Sequence, residues 1–143
     1  NLVGDRELIR SMAYVVRSET AAGEAQFFEA LQKAGMELRL KDLQIFGDGM
    51  KKADWDVGMA VDAIRMAGFL DVVILVTGDG DFIPLVDYLK WGMGRLVEVA
   101  AFERSTNSKL KVAADHFTSI ESIPRIIIKS SRSMKQPHDR TNQ

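Results

Sequence analysis

Cysteine is absent from the 143-residue chain. That excludes disulfides, thiolate nucleophiles and every zinc site built on sulfur. Histidine is scarce: His116 and His138 are the only two. A histidine-rich metal cage, or a triad needing its own histidine, is nearly excluded. The strongest apolar run, Val72 to Val76, falls far short of the about 20 residues that span a bilayer. No basic-then-apolar leader opens the sequence, so no secretory signal is expected and a cytoplasmic location is. What remains for chemistry is carboxylates, hydroxyls, and lysine or arginine.

The composition, 46% apolar and 27% charged, is that of a globular protein, and the length suits one domain. The net charge of −1 hides an asymmetry. Residues 1–100 carry 11 basic and 16 acidic side chains, and residues 101–143 carry 8 and 4. A basic C-terminal part beside an acidic body suits a phosphate-bearing partner, or equally a solvated tail.

The pattern alternates strands and helices. Arg10–Arg17 reads as a strand and Ala21–Ala34 as a helix between a Thr20 cap and a Gly35 stop. Met36–Lys41 alternates apolar and charged residues, as an edge strand does, with a bulge or short hairpin at Asp42 and a loop from Gly47 to Lys52. A helix is expected from Trp55 to Met66, capped by Asp54. Asp71–Thr77 is a continuous apolar run, expected to be a strand buried on both faces. A short helix around Pro84, a strand at Arg95–Ala101, a helix at Thr106–Ala114 and a strand at Phe117–Ile120 follow. Arg125–Lys129 reads as strand or helix, and disorder is expected from about residue 130. The order predicts an α/β fold with a mainly parallel sheet and helices on both faces.

The sharpest feature is Thr77-Gly78-Asp79-Gly80-Asp81-Phe82, at the C-terminal end of the most buried predicted strand. Open α/β sheets bind ligands at that edge. Two carboxylates on one glycine turn repel, and a divalent cation relieves the repulsion. A helix cap at Asp81 and a turn acceptor at Asp79 account for the same residues structurally. Asp56 adds weight, because the helix it opens runs antiparallel to the strand it feeds. Its N-terminus therefore meets the same edge, and three acids converge there. Asp115 reads equally as a fourth acid at that rim or as a charge at a helix end beside a strand. Asp62, almost two turns along the helix from Asp56, reads as solvated. Ser105, Thr106, Asn107 and Ser108 can cap the helix they precede, or donate to a phosphate there. Lys51, Lys52, Arg104, Lys109 and Lys111 are backbone-phosphate candidates, each with a solvated-charge alternative. Trp55 and Trp91 are candidates for base stacking, with core or rim packing the plainer reading of Trp91.

Lys51 to Gly58, Ala60 to Ala63, Val73 to Phe82, Ser108-Lys109-Leu110 and Ala114 to Phe117 together resemble the NYN domain in its LabA-like form. The similarity runs from about Leu8 to Ile120. It implies a Rossmann-like, PIN-like three-layer sandwich over residues 1–124, with residues 125–143 an extension. It further implies metal-dependent RNA cleavage with Mg²⁺ or Mn²⁺ held by Asp56, Asp79 and Asp81, and Asp115 nearby. RNA is the implied partner, positioned by Lys52, Arg104, Ser105, Asn107 and Lys109, and no membrane is. NYN domains normally open with a central strand ending in an Asp metal ligand, followed closely by an Asn. This sequence shows no such strand before Arg10. Three arrangements would close the sheet: direct pairing of Arg10–Arg17 with Asp71–Thr77, insertion of Arg125–Lys129, or a partner chain, including a second copy. The missing acid also leaves open a non-catalytic RNA-binding module. A phosphatase of the haloacid dehalogenase type has a comparable acidic turn. It also needs an Asp-x-Asp nucleophile motif, and none follows a buried strand upstream of Asp71.

Overall fold

The computed structural model describes residues 1–17, 23–42, 44–45, 51–52, 55–124 and 126, with the backbone alone at 44–45 and 51–52. The expected strand–helix alternation is present. Strand β1 (Met12–Arg17) leads through helix α1 (Glu24–Lys33) to β2 (Glu37–Asp42), and the two strands pair in parallel. Helix α1 starts after Gly23, at φ 96°, and ends before Gly35, at φ 84°. Both angles lie in the left-handed region that glycine adopts without strain. The Thr20 cap lies outside the described residues.

The short strands β3 (Gln44–Ile45) and β4 (Lys51–Lys52) form an antiparallel hairpin. The hairpin expected at Asp42 is not made among the described residues, because β3 pairs with β4 and not with β2, and Lys51 and Lys52 belong to a strand rather than to the expected loop.

Helix α2 (Asp56–Ala67) follows Trp55, which occupies the N-cap without a side-chain cap bond. The anticipated cap, Asp54, lies outside the described residues. Strand β5 (Val72–Leu75), helix α3 (Ile83–Asp87), β6 (Leu96–Ala101), helix α4 (Ser108–Ala113) and β7 (His116–Ser119) complete the order. Strands β5, β6 and β7 form a parallel sheet, with Val73 opposite Val97 and Val99 opposite Phe117. Pro84 sits in the first turn of α3, where its missing N–H costs nothing. Tyr88–Gly92 continues α3 as a wider π-type turn.

The core lies where α2, α3 and α4 meet this sheet. Ala63 and Ala67 of α2, Val73 and Leu75 of β5, Leu85, Val86 and Leu89 around α3, Val97 and Val99 of β6 and Leu110 of α4 are all buried. Alanine at 63 and 67 lets α2 lie close to β5.

Two expectations are corrected. The Asp71–Thr77 run is not buried on both faces: Val73 and Leu75 are buried, whereas Val72 and Ile74 are only half covered. The core residues of α2, α3 and α4 pack on the Val73 and Leu75 face, and β5 pairs with β6 alone among the described residues. The parallel strands also fall in two sheets rather than one, because β1 pairs with β2 and not with β5. Direct closure of the sheet through Arg10–Arg17 is therefore not made. Of Arg125–Lys129, only Ile126 is described.

Helix α2 spans the two sheets. The Trp55 indole N–H donates to the Val15 carbonyl of β1 at 3.0 Å. The Tyr14 hydroxyl donates to Asp62 at 3.1 Å, and Arg39 of β2 reaches the same carboxylate at 3.3 Å. Asp62 is thus mostly buried and paired, not solvated as its helix position suggested. Burial in this contact, followed by the adjacent Asp62 charge, pushes the Tyr14 phenol up to about 12.

Candidate metal centre

The acidic turn is built from its own hydrogen bonds. After β5 the Asp79 N–H donates to the Thr77 hydroxyl at 3.2 Å, and the Asp79 carboxylate accepts from the Asp81 N–H at 2.9 Å. That second bond starts the 3₁₀ turn Gly80–Phe82. Phe82 is buried among the core residues and anchors the turn. Asp79 and Asp81 stay exposed at the C-terminal edge of the parallel sheet.

Asp56 arrives from the other side. It opens α2, whose packing on β5 sets its N-terminus at this same edge. One carboxylate oxygen from each of Asp56, Asp79 and Asp81 lies within 4.8 Å of the others. Unit charges that close repel by about 1 kcal/mol per pair even in water. Three hard oxygen donors at this separation fit Mg²⁺ or Mn²⁺, which prefer carboxylates and water. The convergence reached from the sequence is the one the fold makes.

Asp115 is not part of it. Its carboxylate accepts from the Val97 N–H at 2.8 Å and pairs with Lys90 at 3.1 Å. The Val97 N–H bond, helped by Lys90, holds its carboxyl below the usual carboxylate range against a smaller opposing effect of burial. The cause of the misplacement is topological. Asp115 immediately precedes β7, which runs parallel to β5 and β6, so it sits at the edge where strands begin. The three acids sit where strands end.

The segment 102–107 forms the wall beside the acidic turn. The Thr106 hydroxyl, nearly buried, donates to the Phe102 carbonyl at 2.6 Å. The Glu103 N–H donates to the Glu121 carboxylate at 3.1 Å. Hydrogen bonding, led by the Ser119 hydroxyl, keeps Glu121 below the usual carboxylate range. Glu121 had no signal in the sequence; only the β6–β7 pairing brings it to Glu103, 18 residues away. The Asn107 side chain accepts from the Lys109 and Leu110 N–H groups. Those amides of α4 are therefore taken by the protein's own cap rather than offered to a phosphate.

An open cavity of about 620 Å³ lies between turn and wall. Thr77, Asp79 and Gly80 line one side, and Arg104, Ser105 and Asn107 the other. Three of the five residues singled out for RNA contact thus flank the acids. Lys109 lies outside the cavity lining, exposed in the first turn of α4. The Lys52 side chain lies outside the described residues. Lys111 is engaged with Glu103 at 2.6 Å and with the Phe117 ring. The Trp55 ring packs against Tyr14 and Lys41, while Trp91 is 82% exposed rather than packed at a rim. A second cavity, of about 380 Å³, holds Arg6, Glu98 and His116, and there Arg6 and Glu98 neutralise each other at 2.7 Å.

No helix among the described residues is long and apolar enough to cross a membrane. No curated protein matches the chain. Among solved structures, a protein of unknown function from Vibrio parahaemolyticus is similar: 37% identical, with a TM-score of 0.74, over 82% of this chain and 72% of that one. The NYN domain model matches residues 1–121. NYN domains are PIN-like, nuclease-type α/β folds, which agrees with parallel strands that lead acids to their C-terminal edge. Because the match takes in every strand and α-helix described above, the chain belongs to the NYN domain family.

Proposed function

We propose that this protein is a divalent-metal-dependent ribonuclease of the LabA-like type, hydrolysing phosphodiester bonds in single-stranded RNA. The observation that carries the reading is the meeting of Asp56, Asp79 and Asp81 within 4.8 Å at the ligand-binding edge of a parallel sheet. These three would hold Mg²⁺ or Mn²⁺. The cation would supply a water activated near neutral pH and charge neutralisation on the scissile phosphate. Asp79 offers the oxygen not used by the Asp81 N–H. Arg104, Ser105 and Asn107, across the cavity, would contact the RNA backbone, together with Lys109 and Lys52. A cytoplasmic location goes with this reading.

The test is cleavage of single-stranded RNA in Mn²⁺ against a chelator control, with an Asp79→Asn, Asp81→Asn double variant alongside. Metal-dependent cleavage that the double variant lacks is expected. Unchanged cleavage by that variant puts the reaction elsewhere.

One observation favours a second reading, a non-catalytic RNA-binding module. Among the described residues three acids meet at the rim, and Asp115, the candidate fourth, lies at the opposite edge. RNA binding that persists in chelator, with no cleavage in Mn²⁺, would select it.

A further inference from the structure

Gly78 and Gly80 flank Asp79, and neither has the positive φ that would make glycine a backbone necessity. Their requirement is close approach. A Cβ on Gly80 would stand 2.5 Å from Asn107 Nδ2 and 2.8 Å from its Cγ. A Cβ on Gly78 would stand 3.1 Å from Thr106 Oγ1 and 3.2 Å from Thr106 Cα. The acidic turn therefore lies flat on residues 105–107.

Asn107 is the centre of this contact. Its backbone N–H donates to the Gly78 carbonyl at 3.0 Å. Its side-chain oxygen accepts from Lys109 and Leu110, so the carboxamide orientation is fixed. Nδ2 is thereby turned against Gly80. One residue thus grips the turn on both sides of Asp79, by a hydrogen bond before it and by packing after it. A turn stiffened by two bonds of its own and pressed on a fixed wall has little freedom to spread under the repulsion of Asp79, Asp81 and Asp56.

We propose that Asn107 is a positioning residue for the metal centre: its carboxamide buttresses Gly80 and so sets the separation of the Asp79 and Asp81 carboxylates from Asp56. This rests on the metal reading above. It differs from RNA contact by Asn107, because it acts on cation affinity with no RNA present. It also differs from simple helix capping, which a serine performs as well.

The experiment is Mn²⁺ titration calorimetry without RNA on the whole chain, as wild type, Asn107→Ser, Gly80→Ala and the double variant. Thermal melts of all four accompany it. Asn107→Ser keeps the cap and removes the buttress, so Mn²⁺ affinity falls about tenfold while the melt barely moves. Gly80→Ala drives a methyl into the carboxamide and also weakens Mn²⁺ about tenfold. In the double variant the methyl fills space the carboxamide vacated, and affinity recovers above that of either single variant. Wild-type affinity in Asn107→Ser, or a double variant no tighter than Gly80→Ala, overturns the inference and leaves the metal reading standing. A wild-type chain that binds no Mn²⁺ overturns both.

Discussion

The indole N–H of Trp55 donates to the carbonyl of Val15 at 3.0 Å, tying the start of α2 to β1. Asp56 is the next residue. Among the described residues the two parallel sheets share no backbone ladder, and α2 joins them: Trp55 and Asp62 hold β1 and β2, and Ala63 and Ala67 hold β5. The placement of Asp56 against Asp79 and Asp81 depends on that bridge.

Gly58 tests the bridge. A Cβ there would stand 2.6 Å from the Trp55 ring, which its bond to Val15 and its edge contact with Tyr14 hold in place. Alanine for glycine inside a helix ordinarily stabilises by about 1 kcal/mol. Here overpacking outweighs it, and Gly58→Ala lowers the unfolding free energy by about 1–2 kcal/mol. Urea denaturation checks this; a stabilised variant would show that the ring yields freely.

Asp115 stabilises the fold and takes no part in the proposed reaction. Asp115→Asn weakens the links to Val97 and Lys90 and costs about 1 kcal/mol near neutral pH. RNA cleavage by the folded variant stays at the wild-type rate. The carboxyl is held below its ordinary 3.8 in the folded chain. Its contribution is therefore full above the unfolded value and is lost as the pH falls through the lower, folded value. Melts of both proteins from neutral to strongly acid pH read this as a gap that closes only in acid.

Tyr14 gives the opposite sign. Its phenol is pushed up to about 12 from the ordinary 10.0. The stability tied to its neutral form is complete below pH 10 and lost as the pH rises through the folded value. Absorbance titration of the phenolate shows one tyrosine ionising near 12, and Tyr14→Phe removes that step. A Tyr14 that ionises at the ordinary value would mean the contact with Asp62 is open.

Arg104 measures the substrate side. Its exposed guanidinium lines the cavity beside the acids. If it meets one phosphate, Arg104→Ala makes the slope of log affinity against log salt shallower by about 0.7. The loss is uniform across RNA sequences, because phosphate contacts carry no base information. Filter binding in a chelator across a salt series measures it; an unchanged slope removes Arg104 from the RNA path.

The elements that periodicity identifies are those whose cause is local. The apolar run at β5, the glycine-spaced acids after it and the alternation along β2 each state their structure within a few residues. Asp56 was legible one step further out, since a helix that precedes a parallel strand must begin at the edge where that strand ends. Asp79 as a turn acceptor likewise needed only the turn it forms.

Strand pairing is where that reach ends. A residue's edge depends on the direction of the strand it touches. Asp115 follows a helix and precedes a strand, which placed it at either rim until β7 paired in parallel with β6 and took it to the far one. The Glu121 hold on Glu103 and the Trp55 bridge to Val15 join residues 18 and 40 apart, at distances no local pattern encodes. The amino-acid order alone carried the identity and spacing of three acids, because turn and helix geometry are short-range. Packing of α2 across two sheets, and of Asn107 on Gly80, set the distances between those acids, because side-chain volume and register act only once remote segments meet.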